Sequence, residues 1–316
     1  MKQLRGVYMK KLRYPSRNVK NKAVKLFTAA ILVIAAAFGI LHDYIAKETG
    51  SKQLLAATDG YFTAHYIDVG QGSAALLASP DGSFMLIDTG TTESSAYLVK
   101  YLKDAGVDTL DYLIITHPHE DHYGGAESVI KNFPVENFMI LSDFTDTYPY
   151  DRFIYMLENN SFGVDTNIEP VVRDDTFTFA NDCVFRIISP EEADFDDFNE
   201  SSLALKLIYG NTAFLFTGDS EKATENAMIA NGYDLRADVF LAGHHGSATS
   251  NTLAFVQAVS PEYAVISCGK DNSYGHPHED TLKNFESCGA EVLRTDISGS
   301  IIIVSDGNSV SLPQAQ

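Results

Sequence analysis

The stretch Thr116-His117-Pro118-His119-Glu120-Asp121-His122 places three imidazoles and the carboxylate of Asp121 within a few residues, and Gly124-Gly125 follow it. Directly before it, Tyr112-Leu113-Ile114-Ile115 is a short apolar run of the kind that forms a buried strand. A strand that runs into a polar, glycine-flanked loop can hold side chains rigidly at the rim of a sheet. His117 and His119 are two apart, so in extended backbone they point to one side and can grip one cation. Asp121 and His122 come after the chain begins to turn and can face a second. Neutral imidazole with carboxylate suits zinc, manganese or iron better than calcium or magnesium. One histidine in such a loop would read as a satisfied surface residue. Four ligand-type residues this close together do not.

The chain has 316 residues, enough for one large domain or two small ones, and 45% apolar residues, ordinary for a globular core. Its charge is uneven. Nine of the 23 Lys and Arg fall within residues 1–25, and the first acid is Asp43; the remaining 14 basic residues face 42 Asp and Glu, a balance of −28. A body that acidic repels polyanions over the screening length, the opposite of the balance that non-specific nucleic-acid binding uses. The three cysteines, Cys183, Cys268 and Cys288, have no zinc-finger spacing, and an odd count is no disulfide framework. Buried free thiols are expected.

Leu26 to Leu41 is an uncharged apolar run behind the basic segment. It fits either a cleaved signal peptide or an uncleaved anchor slightly shorter than the usual span of about 20 residues. No small-x-small cleavage site lies just past the run, which favours the anchor. The basic flank then keeps the N-terminus in the cytoplasm and sends the remainder outside. The expected organisation is a basic cytoplasmic segment over 1–25, a signal-anchor or transmembrane helix over 26–42, a linker over 43–59 and a globular domain over 60–316.

Within the domain, Tyr61–Ile67 reads as a strand leading into Asp68-Val69-Gly70-Gln71-Gly72. Ala74–Ala78 and Phe84–Ile87 pair across Pro80-Asp81-Gly82, and 93–105 reads as a helix, as does Ala126–Asn132. Residues 133–200 are less regular, with strands at 137–141 and 183–188 and a helix near 151–159. Leu203–Tyr209 and Thr212–Thr217 form a hairpin across Gly210-Asn211 that delivers Gly218-Asp219 to a strand end. Further on come a helix at 220–230, strands at 237–241 and 263–267, a helix at 252–259, another from about Asp280 to Gly289, and closing strands at 292–294 and 301–304. Alternating strands and helices with ligand-type residues at strand ends suit a layered α/β fold with its site at one rim. Seven of the nine histidines lie in three such places: His117, His119 and His122; His244 and His245; His276 and His278. His65 alternates with core positions and reads as structural.

His117-Pro118-His119-Glu120-Asp121-His122 resembles in full the H-x-H-x-D-H signature of metallo-β-lactamase-fold hydrolases. That resemblance implies an αββα sandwich and two divalent metal ions, zinc or manganese. It implies that His117 and His119 bind the first metal, that Asp121 and His122 bind the second, and that Asp219 bridges both. His244 or His245 would complete the second site, with His244 favoured by its place after the strand and Gly243. Asp68 resembles the family's first-motif aspartate, which orients ligands. No histidine lies between His122 and His244, so the third-motif histidine is absent, and the Asn199-Glu200-Ser201-Ser202 segment stands in its place. Together with Thr217-Gly218-Asp219, His244-His245-Gly246-Ser247 and Tyr274-Gly275-His276-Pro277-His278, these motifs resemble the hydrolase domain of ComEC-type DNA-uptake competence proteins over about residues 61–306. That domain normally accompanies a many-spanning channel, and its second histidine is often an aspartate. Both differences point away from a direct part in DNA transport.

The resemblance implies in-line attack of a metal-bound hydroxide on a phosphodiester. Asp121 counts among the catalytic residues; His276 and His278 would approach the phosphate or protonate the leaving group, and Ser247 could hydrogen-bond substrate. The expected protein is an extracellular, membrane-anchored phosphodiesterase or nuclease acting on a small phosphodiester or single-stranded DNA. The alternatives are a hydrolase of a lactone, an amide or a cell-wall phosphodiester, and a non-catalytic envelope partner, whose mark would be broken ligands.

Overall fold

The computed structural model describes residues 60–141, 148–191 and 197–313. The basic segment, the apolar run 26–42 and the linker lie outside the described residues. Among the described residues no helix is long and apolar enough to cross a membrane.

Two mixed sheets make the centre of the domain. The first contains β1 (Phe62–Tyr66), β2 (Ala75–Ala78), β3 (Phe84–Ile87), β4 (Leu110–Ile114), β5 (Val135–Leu141) and β6 (Asn167–Val171), with β14 (Ile301–Ser305) and β15 (Val310–Ser311) joining beside β1 in the order 15-14-1-2-3-4-5-6. The second contains β7 (Thr176–Ala180), β8 (Cys183–Ser189), β9 (Ala204–Tyr209), β10 (Thr212–Phe216), β11 (Val239–Leu241), β12 (Tyr263–Ile266) and β13 (Glu291–Arg294), in the order 13-12-11-10-9-8-7. Each sheet is antiparallel on one side and parallel on the other. In the first, β3, β4, β5 and β6 run parallel; in the second, β10, β11, β12 and β13 do. Parallel neighbours need a crossover, and helices supply it: α1 (Ser95–Asp104), α2 (Glu120–Tyr123), α3 (Ala126–Asn132) and α4 (Tyr148–Glu158) on one side; α5 (Lys222–Ala230), α6 (Leu253–Val259) and α7 (Glu279–Ser287) on the other. A last short helix, α8 (Thr295–Ser298), follows β13.

The strand sequences explain the layering. Along β3, Met85 and Ile87 enter the core between the sheets while Leu86 faces the helices. Along β10, Phe214 and Phe216 face the other sheet and Leu215 faces its own helices. Side chains alternate with period 2, so a strand covered on both faces must be apolar throughout. Leu98, Leu102, Val129, Ile130 and Phe153 seal the first outer layer, and Met228, Phe255, Val256 and Phe285 the second. The order helix, sheet, sheet, helix is the expected αββα sandwich.

The sheet-edge strands β6 and β7, like the short edge strand β15, were not expected. Pro170 and the polar Asn167 and Glu169 disguise β6, and all three strands sit at a sheet edge, where proline and polar residues are tolerated. Cys183 and Cys268 are buried free thiols, as expected, and Cys288 is half-buried. His65 is structural: it is buried, bonds Tyr101 Oη at 3.1 Å and Thr63 Oγ1 at 2.9 Å, and burial pushes its pKa down to about 3.

Candidate metal centre

The C-terminal ends of β3, β4, β10, β11 and β12 meet at one rim, the usual place for a site where parallel strands end. Backbone bonds draw them together. Leu203 N donates to Thr116 O at 2.8 Å across the two sheets, and His244 N donates to Gly218 O at 3.1 Å. The loop after β1 packs directly on the histidine loop. A Cβ on Gly72 would fall 2.6 Å from the Asp121 carbonyl oxygen, so only glycine fits there.

The histidine loop carries four of the candidate ligands into the rim. His119 is the extended residue before α2, and Asp121 and His122 lie in its first turn. His117 Nε2 and His119 Nδ1 converge to 3.0 Å. Separately, His245 Nε2 lies 3.2 Å from Asp121 Oδ2 and 3.3 Å from His122 Nε2. Asp219 sits between the two groups. Its Oδ1 is 3.2 Å from His122 Nε2, and its Oδ2 is 3.8 Å from His117 Nε2, 3.7 Å from His245 Nε2 and 3.6 Å from His244 Nε2. Two clusters of donors close enough to share an ion emerge, one of His117, His122 and Asp219 and one of Asp121, His122 and His245. Nitrogen and carboxylate oxygen without thiolate form a donor set that fits a divalent transition metal.

Of the histidine doublet, the structure brings His245 rather than His244 into the Asp121–His122 cluster, reversing the preference drawn from sequence. Both residues take left-handed backbone, with φ of 50° and 54°, so position after the strand does not indicate direction. His245 is buried, with its Nδ1 donating to Ser267 O at 3.0 Å, which leaves Nε2 free for the site. The His244 side chain is 22% exposed against 3% for His245, and its Nδ1 is 3.2 Å from Glu221 Oε1. Asn251 holds this strained turn, accepting from Gly243 N and donating to Gly243 O, both at 2.9 Å. His245→Ala is expected to lower metal affinity by more than the roughly 10- to 100-fold typical of losing an outer-shell partner, and His244→Ala to leave the Asp121–His122 cluster loaded. Metal titration of the two variants decides between them.

The carboxylate that orients His122 is Asp88, a residue not singled out from the sequence. Asp88 Oδ2 lies 2.7 Å from His122 Nδ1, and Asp88 also accepts from Thr116 N at 2.9 Å and from the Thr116 hydroxyl. The Asp68 carboxylate accepts from Gly70 N at 3.3 Å, within its own loop, while its backbone N–H donates to Ser300 Oγ. A signal for Asp88 was present: it ends its strand before Thr89-Gly90, as Asp219 follows its strand after Thr217-Gly218. Glu221 and Thr116 were likewise missed, because their roles depend on which loops meet.

Other expected residues separate. Ser202 Oγ accepts from Asp219 N at 3.0 Å and so braces the Asp219 backbone. Asn199 lines the cleft, and its Oδ1 is buried with no hydrogen-bond partner among the described residues. Ser247 bonds Thr249 Oγ1 at 3.0 Å and its carbonyl accepts from Thr281, so it ties loops together. His276 lines the cleft beside Asp121 and Asp219, with Gln71 Nε2 3.4 Å from its Nδ1. His278 does not line it: its Nδ1 accepts from Ala248 N at 2.9 Å, directly before α7.

Charge inside the site is paired. Burial works against a charge on His122, but Asp219 and Asp88 outweigh it and hold its pKa well above the ordinary value. His245 is raised in the same way by Asp219 and Asp121. Burial also opposes ionisation of Asp219, yet the surrounding imidazoles hold it well below the usual carboxylate range. His117 goes the other way, driven down by burial and by His122. Without a metal, these shifts favour imidazolium on His122 and His245 beside an ionised Asp219.

This fold and this donor arrangement define a class. Residues 67–270 match the family model of the metallo-beta-lactamase superfamily; the chain belongs to that superfamily. It is 35% identical over 252 residues to ComE operon protein 3 of Bacillus subtilis (strain 168), covering 74% of this chain and 32% of that protein. It is 34% identical over 219 residues to Competence protein ComA of Neisseria gonorrhoeae, covering 69% and 28%. The chain thus spans about a third of the length of these curated relatives. Among solved structures, CmlA, a diiron beta-hydroxylase from Streptomyces venezuelae, superposes with a TM-score of 0.54 at 14% identity, over 78% of this chain and 55% of that one. That likeness is one of fold alone.

Proposed function

We propose that this protein is a two-metal hydrolase, a phosphodiesterase with zinc or manganese as its ions and a nucleotide-type phosphodiester as its substrate. The observation that carries the reading is Asp219, whose two oxygens face both donor clusters at once. His117 and His119 would hold one ion, Asp121, His122 and His245 the other, with Asp219 between. Ions held there supply Lewis acidity and a hydroxide nucleophile near neutral pH. The chain's own residues supply the rest. Asp88 and the Ser267 carbonyl fix the tautomers of His122 and His245, so both present Nε2 to the site. His276, whose pKa burial pushes down to about 4, is neutral at physiological pH. It can hydrogen-bond a phosphoryl oxygen or leaving group without adding charge. The apolar run 26–42 would anchor the chain in a membrane with the hydrolase domain outside.

The test is metal content and turnover of bis(p-nitrophenyl) phosphate and single-stranded DNA by the purified chain, beside a His119→Ala, Asp219→Asn double variant. Bound metal and phosphodiester turnover, both lost in the variant, support the reading. Bound metal without phosphodiester turnover moves the substrate to a lactone or amide. Failure to take up zinc or manganese overturns the enzymatic reading in favour of a non-catalytic envelope partner.

A further inference from the structure

Three rings run nearly parallel from the metal centre to solvent. His245, buried among the donors, is 25° from the plane of His276, with centroids 6.3 Å apart. His276 is again 25° from Tyr274, at 5.6 Å. Tyr274 ends the column and is 65% exposed. A single exposed tyrosine is ordinary on a protein surface. This one lines the same cleft of about 340 Å³ as His119, Asp121 and Asp219. Its inner side is covered by His276, and enough of the ring stays open to receive another planar group.

The segment that carries Tyr274 is held in advance. Asn272 Nδ2 donates to Gly269 O at 2.8 Å and to His276 O at 2.7 Å, and its Oδ1 accepts from His276 N at 3.0 Å. Gln71 locks the same segment from the other side, accepting from Gly269 N at 3.0 Å and meeting His276 Nδ1 with its amide. Every polar atom of the Asn272 side chain is spent inside the turn. An aromatic fixed in this way loses little freedom when a ligand stacks on it.

From this column we infer that Tyr274 is a stacking platform for the base of the nucleotide-type substrate. The inference rests on the phosphodiesterase reading and assigns the residue that would recognise the base. Residues 26–316 carry 14 basic against 42 acidic residues, a balance that repels polyanions and lacks the excess of cations by which nucleic-acid-binding proteins usually hold phosphates, so affinity for such a substrate has to come from another source. Stacking supplies affinity that depends on no cation and tolerates every base, because each base has a π face. A base seated on Tyr274 leaves its sugar and phosphate to reach past His276 toward Asp121 and Asp219. Tyr274 is thus a specificity-determining residue, and His276 has a second task as the spacer between platform and metal centre.

The experiment compares binding of two fluorescent decamers with phosphorothioate linkages, one of thymidine and one of abasic tetrahydrofuran units, to the full metal-loaded chain and to Tyr274→Ala and Tyr274→Phe. The parent is expected to prefer the thymidine decamer by roughly 5- to 100-fold, the range of one stacked base. Tyr274→Ala should erase the preference and Tyr274→Phe should keep it. Equal binding of the two decamers by the parent, no binding of either, or a preference that survives Tyr274→Ala overturns the inference. Turnover of bis(p-nitrophenyl) phosphate, measured on the same preparations, separates the two levels: turnover without base preference sinks the platform alone, and no phosphodiester turnover sinks the function beneath it.

Discussion

Asp219→Asn is expected to reduce turnover by about 10²- to 10⁴-fold, the equivalent of the several kcal/mol that a correctly held metal contributes to transition-state charge. Asparagine keeps the shape but replaces one oxygen with a donor. Asp219 Oδ2 has three imidazole nitrogens between 3.6 and 3.8 Å away, and Oδ1 has His122 at 3.2 Å. An NH₂ at either position faces nitrogens and ions instead of balancing them. The same substitution changes the metal-free protein in a way that does not depend on activity. His122 and His245 have raised pKa values in the fold. Their contribution to stability is complete below the unfolded value near 6.5 and is lost as pH rises through the raised folded values. His117 is depressed, so its penalty is felt only below that unfolded value. The metal-stripped parent should therefore lose Tm as pH rises above about 6.5, and Asp219→Asn should show a flatter slope. Metal must displace these protons, so affinity should rise with pH over the same window. Calorimetric scans of the stripped proteins at several pH values read this directly. A parent Tm that is level or rising above pH 6.5, or a slope unchanged in the variant, contradicts the charge arrangement.

The second large effect belongs to a residue that would hold no ion itself and acts only through His122 and Thr116. Asp88→Asn is expected to weaken metal binding or lower turnover by about 10- to 100-fold, the range for partners that orient ligating histidines, whereas Asp68→Asn should leave both near the parent's. Asparagine suits the test because Asp88 has a φ of 58°, and Asn is among the few residues that adopt the left-handed region readily. With an amide in place, His122 loses the carboxylate that fixes its Nδ1 proton, and Thr116 loses one acceptor of its backbone and hydroxyl groups. Metal titration of both variants is the measurement. A larger loss in Asp68→Asn than in Asp88→Asn would return the orienting role to Asp68.

Much of this protein was legible before any coordinates. The histidine loop displays its candidate ligands within a few residues, so residue type and spacing alone mark it, although the structure places His122 near both His117 and Asp121. The apolar strand runs give the layers, since a strand covered on both faces leaves no room for polar residues. The hairpin placed Asp219 at a strand end, and the family resemblance supplied its bridging role. Edge strands β6 and β7 were not visible, because an edge needs no hydrophobic run and tolerates Pro170.

What only the tertiary structure decided are choices between neighbours. His244 and His245 are adjacent and chemically identical, and consecutive left-handed φ values turn one toward Asp121 and the other toward Glu221. Asp68 and Asp88 both stand near strand ends, and only the packing of Thr116 against Asp88 shows which reaches His122. His276 and His278 share a motif, yet one enters the cleft and the other accepts the Ala248 N–H. Sequence by itself determined which chemistry gathers at the rim, because residue type and strand period are local properties. The direction of each side chain depends on contacts between segments as far apart as Gln71 and His276, and those exist only once the two sheets have closed on each other.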